Sequence, residues 1–266
     1  MRKVIYKLCN SENVDCGVCD NCGELSTENV IITDPLTVRY SDLEVKLVWA
    51  TPNADGLLGY IARVSNPDNQ NNESVEGLFN YMNKEGHVSP FTMANMCVEV
   101  NTTRDISRQI LRHWSLDFQE FSQRYQDVSK LGGRIHRECR LQDHENRQNS
   151  IASHDEEVHN RIEDAQTIVW ETAMANYQDA LARGVAKECA RVLLPEGLTP
   201  TRMYINGNFR SWIHYLKVRT HETNQKEHRT TANLILRMMH QVAPITARAF
   251  FGEPDASIKV GGIQWE

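Results

Sequence analysis

Apolar residues recur at helical spacing through much of the chain. The clearest run places Phe209, Trp212, Ile213 and Leu216 at positions i, i+3, i+4 and i+7, which predicts an amphipathic helix. The same period predicts helices over further segments, namely 55–64, 75–84, from 104 onward, 156–187 and around 234–242.

Strand signals are fewer and shorter. Residues 45–49 are rich in β-branched and aromatic side chains, and residues 93–101 alternate only roughly between apolar and polar positions. The polar and charged segment 130–149 predicts an exposed loop, and Pro195 and Pro200 predict an irregular connection. Many helices, a few strands and no regular β-α alternation together predict an α+β fold.

Length and charge narrow the class of protein. The chain has 266 residues, 40% hydrophobic and 24% charged, so it can bury a sizeable core. No apolar stretch approaches the roughly 20 residues that span a bilayer, and the start lacks the apolar segment of a secretory signal, so we expect a cytoplasmic protein without a membrane partner. The net charge of −6 argues against nucleic acid as a partner, so a bound anion needs a local basic cluster.

The first 40 residues differ from the rest because they hold four of the seven cysteines and show no helical period. We predict a Cys-rich N-terminal appendage over 1–40 and a main domain over 41–266. Four thiolates suit a tetrahedral zinc ion or an iron–sulfur cluster, although their spacing is not that of a zinc ribbon. The alternatives are a tail of reduced thiols and a metal shared with a neighbouring subunit. The cysteines concerned are Cys9, Cys16, Cys19 and Cys22.

Three arginines form a stripe. Arg104, Arg108 and Arg112 stand four residues apart, so on a helix they share one face. Like charges at this spacing repel mildly, and a bound phosphate would offset the repulsion because guanidinium groups match its oxygens. The alternative is a solvated basic face neutralised by Asp105 and Asp117.

The stripe leads into an unusually mixed segment. Residues 112–125 combine two arginines, a histidine, a glutamate and two serines with four aromatic residues. Such polar density between apolar side chains suits the wall of a pocket better than a core. The alternative, for Glu120 and Arg124, is an i, i+4 ion pair on the surface.

Short motifs stand in a fixed order across 44–244. The central one is Arg112-His113-x followed by seven residues and Ser122, with Gln109 three positions before it. The flanking motifs are Ala62-Arg63-Val64-Ser65, Gly86-His87-Val88-Ser89-Pro90-Phe91, Ala190-Arg191-Val192-Leu193-Leu194-Pro195, and Asn208-Phe209-Arg210 followed by His214, Arg219, Gln225 and Glu227. Together they resemble the flavin-dependent thymidylate synthases, and the central stretch Phe-Gln-Glu-Phe-Ser-Gln-Arg-Tyr is similar to phage-encoded members.

This resemblance implies the reductive methylation of dUMP to dTMP. The carbon donor would be 5,10-methylenetetrahydrofolate, and FAD reduced by NADPH would carry the hydride. The family fold is a central, mostly antiparallel sheet flanked by helices, in a homotetramer whose active sites are shared between subunits. A phage-encoded member would act in the host cytoplasm.

The matched motifs also imply a role for individual residues. Those expected to bind dUMP are Gln109, Arg112, Glu120, Ser122, Gln123, Arg124, Arg191 and Arg219. Those expected to bind FAD are Ser65, His87, Ser89, Arg112, His113, Trp114, Glu120, Asn208, Arg210 and His214. Arg219 is the expected catalytic residue, since a permanent cation beside the pyrimidine favours ionisation of N3 and enriches carbon 5 in electrons.

Three positions depart from the family pattern. Trp114 replaces the second arginine of the signature, Thr92 replaces a residue that is often acidic, and Thr223 replaces a histidine near the flavin. A tryptophan can stack on a flavin or adenine ring but carries no charge for the pyrophosphate. The departures leave two alternatives open, which are the same chemistry on dCMP and a non-catalytic nucleotide-binding relative.

Overall fold

An antiparallel sheet organises the part of the chain that the computed structural model describes, residues 37–40 and 42–253. In chain order the strands are β1 (Thr37–Tyr40), β2 (Leu43–Ala50), β3 (Asn95–Thr103), β4 (Asp117–Glu120), β5 (Arg140–Gln142), β6 (Ser150–Ala152) and β7 (Pro200–Asn208). Five of them form one sheet in the order β1-β2-β3-β7-β4, and β5 and β6 form a separate hairpin. The predicted α+β class with a mostly antiparallel sheet is confirmed.

Helices account for most of the remaining described residues. They are α1 (Ala54–Ala62), α2 (Glu76–Lys84), α3 (Arg104–Ile110), α4 (Glu156–Ala182), α5 (Lys187–Ala190), α6 (Phe209–Arg219), α7 (Lys226–Val242) and α8 (Pro244–Phe251). The predicted helices are confirmed, with shifted ends. The long one stops at Ala182 because Gly184, at a φ of 82°, turns the chain into a conformation that favours glycine.

The core lies between the sheet and the C-terminal helices. Met96, Val98 and Val100 of β3 are fully buried, and so is Trp212 of α6. The Trp212 indole N–H donates to the carbonyl of Met96 at 2.9 Å, which ties α6 to the central strand. The spacing that predicted α6 therefore identified a helix face that is buried in the core.

Strand β7 corrects the sequence prediction of an irregular connection after Pro195. It pairs with β3 along its whole length, from Pro200 opposite Thr103 to Asn208 opposite Asn95. Pro200 is tolerated because it stands at the first position of the strand, where a missing N–H costs little. The proline thus marks the start of a strand rather than the absence of one.

The polar segment 130–149 also differs from the predicted exposed loop. Part of it forms β5, and Arg137 and Arg140 are only partly exposed. Their guanidinium groups pair with Glu227, at 3.4 and 2.8 Å. The arginines that suggested a solvated loop are instead neutralised within the fold.

The described residues, from Thr37 onward, belong to one compact unit. The four clustered cysteines, Cys9, Cys16, Cys19 and Cys22, lie outside the described residues, so the proposed metal site and the division at residue 40 stay predictions. Within residues 37–40 and 42–253, no helix is long and apolar enough to cross a membrane.

Candidate active site

Glu120, at the end of β4, is the centre of a partly buried polar cluster. Its Oε1 accepts hydrogen bonds from the hydroxyls of Ser107 at 2.8 Å and Thr201 at 2.9 Å. The same oxygen lies 2.8 Å from Nη1 of Arg104, whose side chain is buried. Burial lowers the pKa of the Arg104 guanidinium and Glu120 opposes that shift. The carboxylate is therefore fixed by three groups of its own chain.

The arginine stripe is split by this arrangement. Arg104 is buried against the Glu120 carboxylate, Arg108 is half-exposed, and Arg112 follows the end of α3 and is exposed. Asp105 pairs with Arg137 at 3.0 Å instead of with the stripe. The alternative of a solvated face neutralised by Asp105 is therefore wrong for Arg104, which is buried against Glu120 of β4, whereas Arg108 and Arg112 do lie at the surface.

A cavity of about 470 Å³ opens beside the Glu120 cluster. This volume lies in the range of small-molecule sites. It is lined by Arg104, Arg108, Gln123, Glu188, Arg191, Val192, Leu194, Glu196 and Thr199. Two of the residues expected to bind dUMP, Gln123 and Arg191, thus meet at one cavity.

Arg191 is held by a small separate core. Its neighbours Ala190 and Leu194 are buried with Val128 and with Tyr177 of α4. Within the described part of the chain, the guanidinium of Arg191 has neither an ion pair nor a side-chain hydrogen bond. The fold therefore presents an uncompensated cation to the cavity.

Arg219, the last residue of α6, is fixed by two hydrogen bonds. Its Nε donates to Nε2 of His113 at 2.7 Å, and its Nη1 donates to Oδ1 of Asn224 at 3.1 Å. Because Nε2 accepts, His113 is neutral and carries its proton on Nδ1. Burial, followed by the charges of Arg219, His214 and Arg112, lowers the pKa of His113 to about 4. The expected catalytic arginine is thus oriented by a neutral histidine.

Gln109 projects from α3 towards the start of α7. Its Nε2 donates to Oε1 of Gln225 at 2.7 Å, and Nε2 of Gln225 donates to Oε2 of Glu227 at 3.1 Å. Gln109 thus forms one hydrogen-bonded series with two residues of the predicted motifs that lie more than 100 positions later in the sequence.

The Gly-His-x-Ser-Pro-Phe motif forms the turn after α2. Gly86 has a φ of 70°, and the N–H of His87 donates back to the carbonyl of Met82 at 2.8 Å, which closes the helix end. The Thr92 hydroxyl donates to the carbonyl of Ser89 at 2.8 Å. His87 and Ser89 are left exposed by this turn, and Thr92 has a local structural role.

The motif at the start of α6 combines a cap with two exposed basic residues. Oδ1 of Asn208 accepts from the N–H of Ser211 at 2.9 Å, so Asn208 caps the helix. Arg210 and His214 stand four positions apart on the exposed face. Neither has an ion pair or a side-chain hydrogen bond among residues 42–253.

Other predicted residues lie at the surface or serve the fold. Trp114 is 94% exposed, Ser65 and Ser122 are exposed, and Arg124 pairs with Glu188 at 3.1 Å. The alternative pairing of Arg124 with Glu120 is therefore wrong. The charges of Arg219, His214 and Arg112 all act on His113, and that of Arg112 also acts on Arg219. The structure shows no hydrogen bond or ion pair between this group and Ser65, His87 or Ser89 among the described residues.

Sequence reasoning indicated one group that shapes the site and missed another. Arg104 and Arg108, whose four-residue spacing predicted a common face for an anion, line the cavity. His228 is fully buried and its Nδ1 lies 3.2 Å from Oε1 of Gln109. The sequence indicated this residue only weakly. His228 lies on the same buried helix face as Ala232 and Ile235, and its polar side chain is the one feature that sets it apart from them. Among the described residues, no group of three His, Cys, Asp or Glu is placed to hold a metal ion.

Comparisons with known proteins agree with this geometry. The family model of the thymidylate synthase complementing protein matches residues 46–245. A "Flavin-dependent thymidylate synthase" of Synechocystis sp. is 45% identical over 220 residues, which cover 80% of this chain and 99% of that protein. A "Probable flavin-dependent thymidylate synthase" of Paramecium bursaria Chlorella virus 1 is 42% identical over 204 residues, covering 76% and 93%.

A solved structure is also similar. It is the UMP/dUMP methylase PolB from Streptomyces cacaoi bound with 5-Br dUMP, with a TM-score of 0.68 and 27% identity, covering 81% of this chain and 97% of that one. The enzyme class that the motifs predicted is confirmed, and the chain belongs to the thymidylate synthase complementing protein family.

Proposed function

We propose that this chain catalyses the reductive methylation of dUMP to dTMP. In the overall reaction, dUMP, 5,10-methylenetetrahydrofolate, NADPH and a proton give dTMP, tetrahydrofolate and NADP⁺. One observation carries the proposal: four basic side chains of the matched motifs have no counter-charge among the described residues. Those that lack a partner in the described part of the chain are Arg112, Arg191, Arg210 and His214. Anionic ligands supply the partners that these side chains lack.

The cavity beside Glu120 is the proposed seat of the nucleotide. Arg191 and Gln123 would hold the phosphate and sugar, with Arg108 as a further cation on the same wall. Glu120 would keep Arg108 in place, since its Oε2 lies 3.7 Å from Arg108 Nη1. The other residues proposed for dUMP are Gln109, Arg112, Ser122, Arg124 and Arg219.

Arg219 would supply the catalytic charge. Its Nε and Nη1 are occupied by His113 and Asn224, and Nη2 has no partner among the described residues. A guanidinium fixed in this way needs no reorganisation when negative charge develops on the pyrimidine. It would therefore stabilise the ionised N3 form and make carbon 5 a better nucleophile for the folate methylene group.

The residues proposed for FAD suit its chemistry. Arg112, Arg210 and His214 offer unpaired basic groups for a pyrophosphate, and exposed Trp114 offers a flat face for ring stacking. Ser65, His87, Ser89, His113, Glu120 and Asn208 complete the proposed set. When bound and reduced by NADPH, FAD supplies the hydride that completes the methyl group. The loss of the second signature arginine at Trp114 leaves the remaining cations to carry the pyrophosphate.

A homotetramer with shared sites is part of the proposal. Helix α4 has 27 residues, of which only Tyr177 is buried, and it exposes Ile162, Ile168 and Val169 by 42%, 64% and 49%. Contact with further copies would cover these apolar side chains. Light scattering after gel filtration should give four times the 30.5 kDa chain mass. A monomer at micromolar concentration would overturn this part.

Product analysis tests the activity directly. The purified chain is incubated anaerobically with FAD, NADPH and 5,10-methylenetetrahydrofolate, together with equal dUMP, dCMP and UMP, and the nucleotides are separated by mass spectrometry. UMP is included because PolB is described as a UMP/dUMP methylase. Formation of dTMP, with a flavin spectrum on the purified protein, supports the proposal.

Two other outcomes would overturn it. A methylated cytidine nucleotide without dTMP would establish the alternative substrate dCMP. Nucleotide binding without any product, from a colourless protein that takes up no FAD, would establish a non-catalytic relative.

A further inference from the structure

A buried hydrogen-bonded series continues beyond Gln109 into the core. Nδ1 of His228 lies 3.2 Å from Oε1 of Gln109, and Nε2 of His228 lies 3.2 Å from the hydroxyl of Tyr215. Both His228 and Tyr215 are fully buried. On the other side, the series runs from Gln109 through Gln225 to Glu227. The motifs that carry the proposed chemistry use neither His228 nor Tyr215.

The outer end of the series is a fixed anion. Glu227 lies 2.8 Å from Nη1 of Arg140 and 3.4 Å from Nη1 of Arg137. Although burial alone would raise it, the hydrogen bond from Arg140 and the charges of both arginines hold the pKa of Glu227 below its usual value. An ionised carboxylate only accepts hydrogen bonds, so the polarity of the series is set at this end.

The ionised carboxylate of Glu227 determines which atom donates and which accepts at every other hydrogen bond of the series. Gln225 must turn its NH₂ towards Glu227, which leaves its carbonyl oxygen to accept from the NH₂ of Gln109. The Gln109 carbonyl then faces His228, so Nδ1 of His228 must carry the proton. Nε2 is left as an acceptor for the hydroxyl of Tyr215. Rotating the Gln109 amide by half a turn would break two of these hydrogen bonds.

The side-chain amide of Gln109 has one hydrogen that the series does not use. The Gln109 NH₂ has two hydrogens, one directed to Gln225 and one without an acceptor among the described residues. We infer that His228, backed by Tyr215, is a positioning residue that makes Gln109 present an N–H to an acceptor oxygen of the pyrimidine nucleotide. This inference rests on the proposed function, in which Gln109 contacts dUMP.

Matched substitutions at His228 separate positioning from packing. The His228→Asn side chain can place an amide N–H near the position of Nδ1, whereas His228→Leu fills the space with no donor. Each is made with Tyr215→Phe, so that no buried hydroxyl loses its acceptor. The dUMP dissociation constant of the full-length, FAD-loaded protein is measured by calorimetry, and stability is measured by urea unfolding.

We expect opposite rankings in the two measurements. H228L/Y215F should bind dUMP about tenfold more weakly than wild type, the loss of one neutral hydrogen bond, while H228N/Y215F stays within about threefold. In urea, the leucine variant should be the more stable because its side chain is apolar. If His228 only packed in the core, the more stable of the two variants would also bind dUMP more tightly.

Gln109→Ala in the same assay tests the premise, which is that Gln109 contacts dUMP, separately from the inferred role of His228. If wild type does not bind dUMP, or Q109A binds it as tightly as wild type, the role of Gln109 in the proposed function is overturned, and the inference with it. If Q109A weakens binding while H228L/Y215F does not, the inference alone is overturned. The same holds if the asparagine variant, although folded, binds as weakly as the leucine variant.

Discussion

The two flanks of helix α3 handle charge in opposite ways. On one flank, His113 and His228 are buried and neutral, and each is hydrogen-bonded to side chains of its own chain. On the other, Arg108 and Arg191 keep their charges at an open cavity, and Arg191 has no counter-ion in the described residues. The first flank holds its histidines by internal hydrogen bonds, whereas the second needs an anion to balance the charge of Arg191. One flank therefore sets geometry and the other supplies affinity.

The largest effect is expected at Arg219, which is hydrogen-bonded to His113 of the first flank. Arg219→Ala removes the fixed cation and should lower kcat for dTMP formation by about 10²–10³-fold, as for the loss of one preorganised electrostatic group. Arg219→Lys keeps the charge but loses the hydrogen bond geometry of Nε, so it should recover only part of the rate. The measurement is turnover at saturating dUMP, and a loss below tenfold for the alanine variant would contradict the assigned role.

The buried ion pair at the edge of the cavity should matter mainly for stability. Arg104→Met leaves Glu120 partly buried without its cation, which should lower the free energy of unfolding by about 3 kcal/mol. Adding Glu120→Gln removes the unpaired charge and keeps an acceptor for Ser107 and Thr201, so most of the loss should be recovered. Urea unfolding of both variants tests this, and equal stabilities would argue against it.

The neutral flank should make the protein acid-sensitive. Burial and then the charges of Arg219 and His113 lower the pKa of His228 to about 3, against an unfolded value of 6.5. Between these values the unfolded chain binds a proton that the folded chain does not, so stability falls as the pH drops below 6.5 and the loss levels off near 3. From pH 7 to pH 4 this amounts to roughly 3 kcal/mol for His228.

H228L/Y215F gives the comparison for this effect, because it cannot take up that proton. Its free energy of unfolding should fall less than that of wild type between pH 7 and pH 4, by the same roughly 3 kcal/mol. His113, with a pKa of about 4, should keep part of the acid sensitivity in both proteins. Parallel pH profiles for the two proteins would show that His228 is not held neutral.

A substitution on the charged flank should have a smaller effect, which changes dUMP affinity and leaves stability unaltered. Arg191→Ala removes one charged partner of the nucleotide and should raise the dUMP dissociation constant by about 10- to 100-fold, with unfolding unchanged. Arg183 is a suitable control, since it is an exposed arginine paired with Asp179 on α4. Arg183→Ala should bind dUMP as wild type does, and similar losses for both variants would mean that net charge alone is responsible.

Local patterns in the sequence predicted much of this molecule. The spacing of Phe209, Trp212 and Leu216 predicted α6, and the motif around Arg112 predicted the family. Strand β7 was not predicted, because its pairing partner β3 lies about a hundred residues earlier in the chain and a local sequence pattern does not show such long-range pairing. The four-residue spacing of Arg104 and Arg108 indicated a common face, but only the placement of β4 decides which arginine is buried.

For the candidate site too, local patterns could be predicted from the sequence and long-range contacts could not. Residues within one motif could be assigned together, as Arg112 and His113 were. The series through His228 could not, since His228 meets Gln109 across 119 positions and only after α7 has packed against α3. A single histidine in an amphipathic helix carries no mark of such a partner in its sequence.

The fixed polarity of the series from Glu227 to Tyr215 also limits how this sequence can drift during evolution. A change that reverses donor and acceptor at one link leaves its neighbours facing like groups, so it is penalised when it occurs alone. Loss of the imidazole at position 228 becomes tolerable when the hydroxyl at position 215 is lost with it. We therefore expect homologues to gain or lose Tyr215 and His228 together.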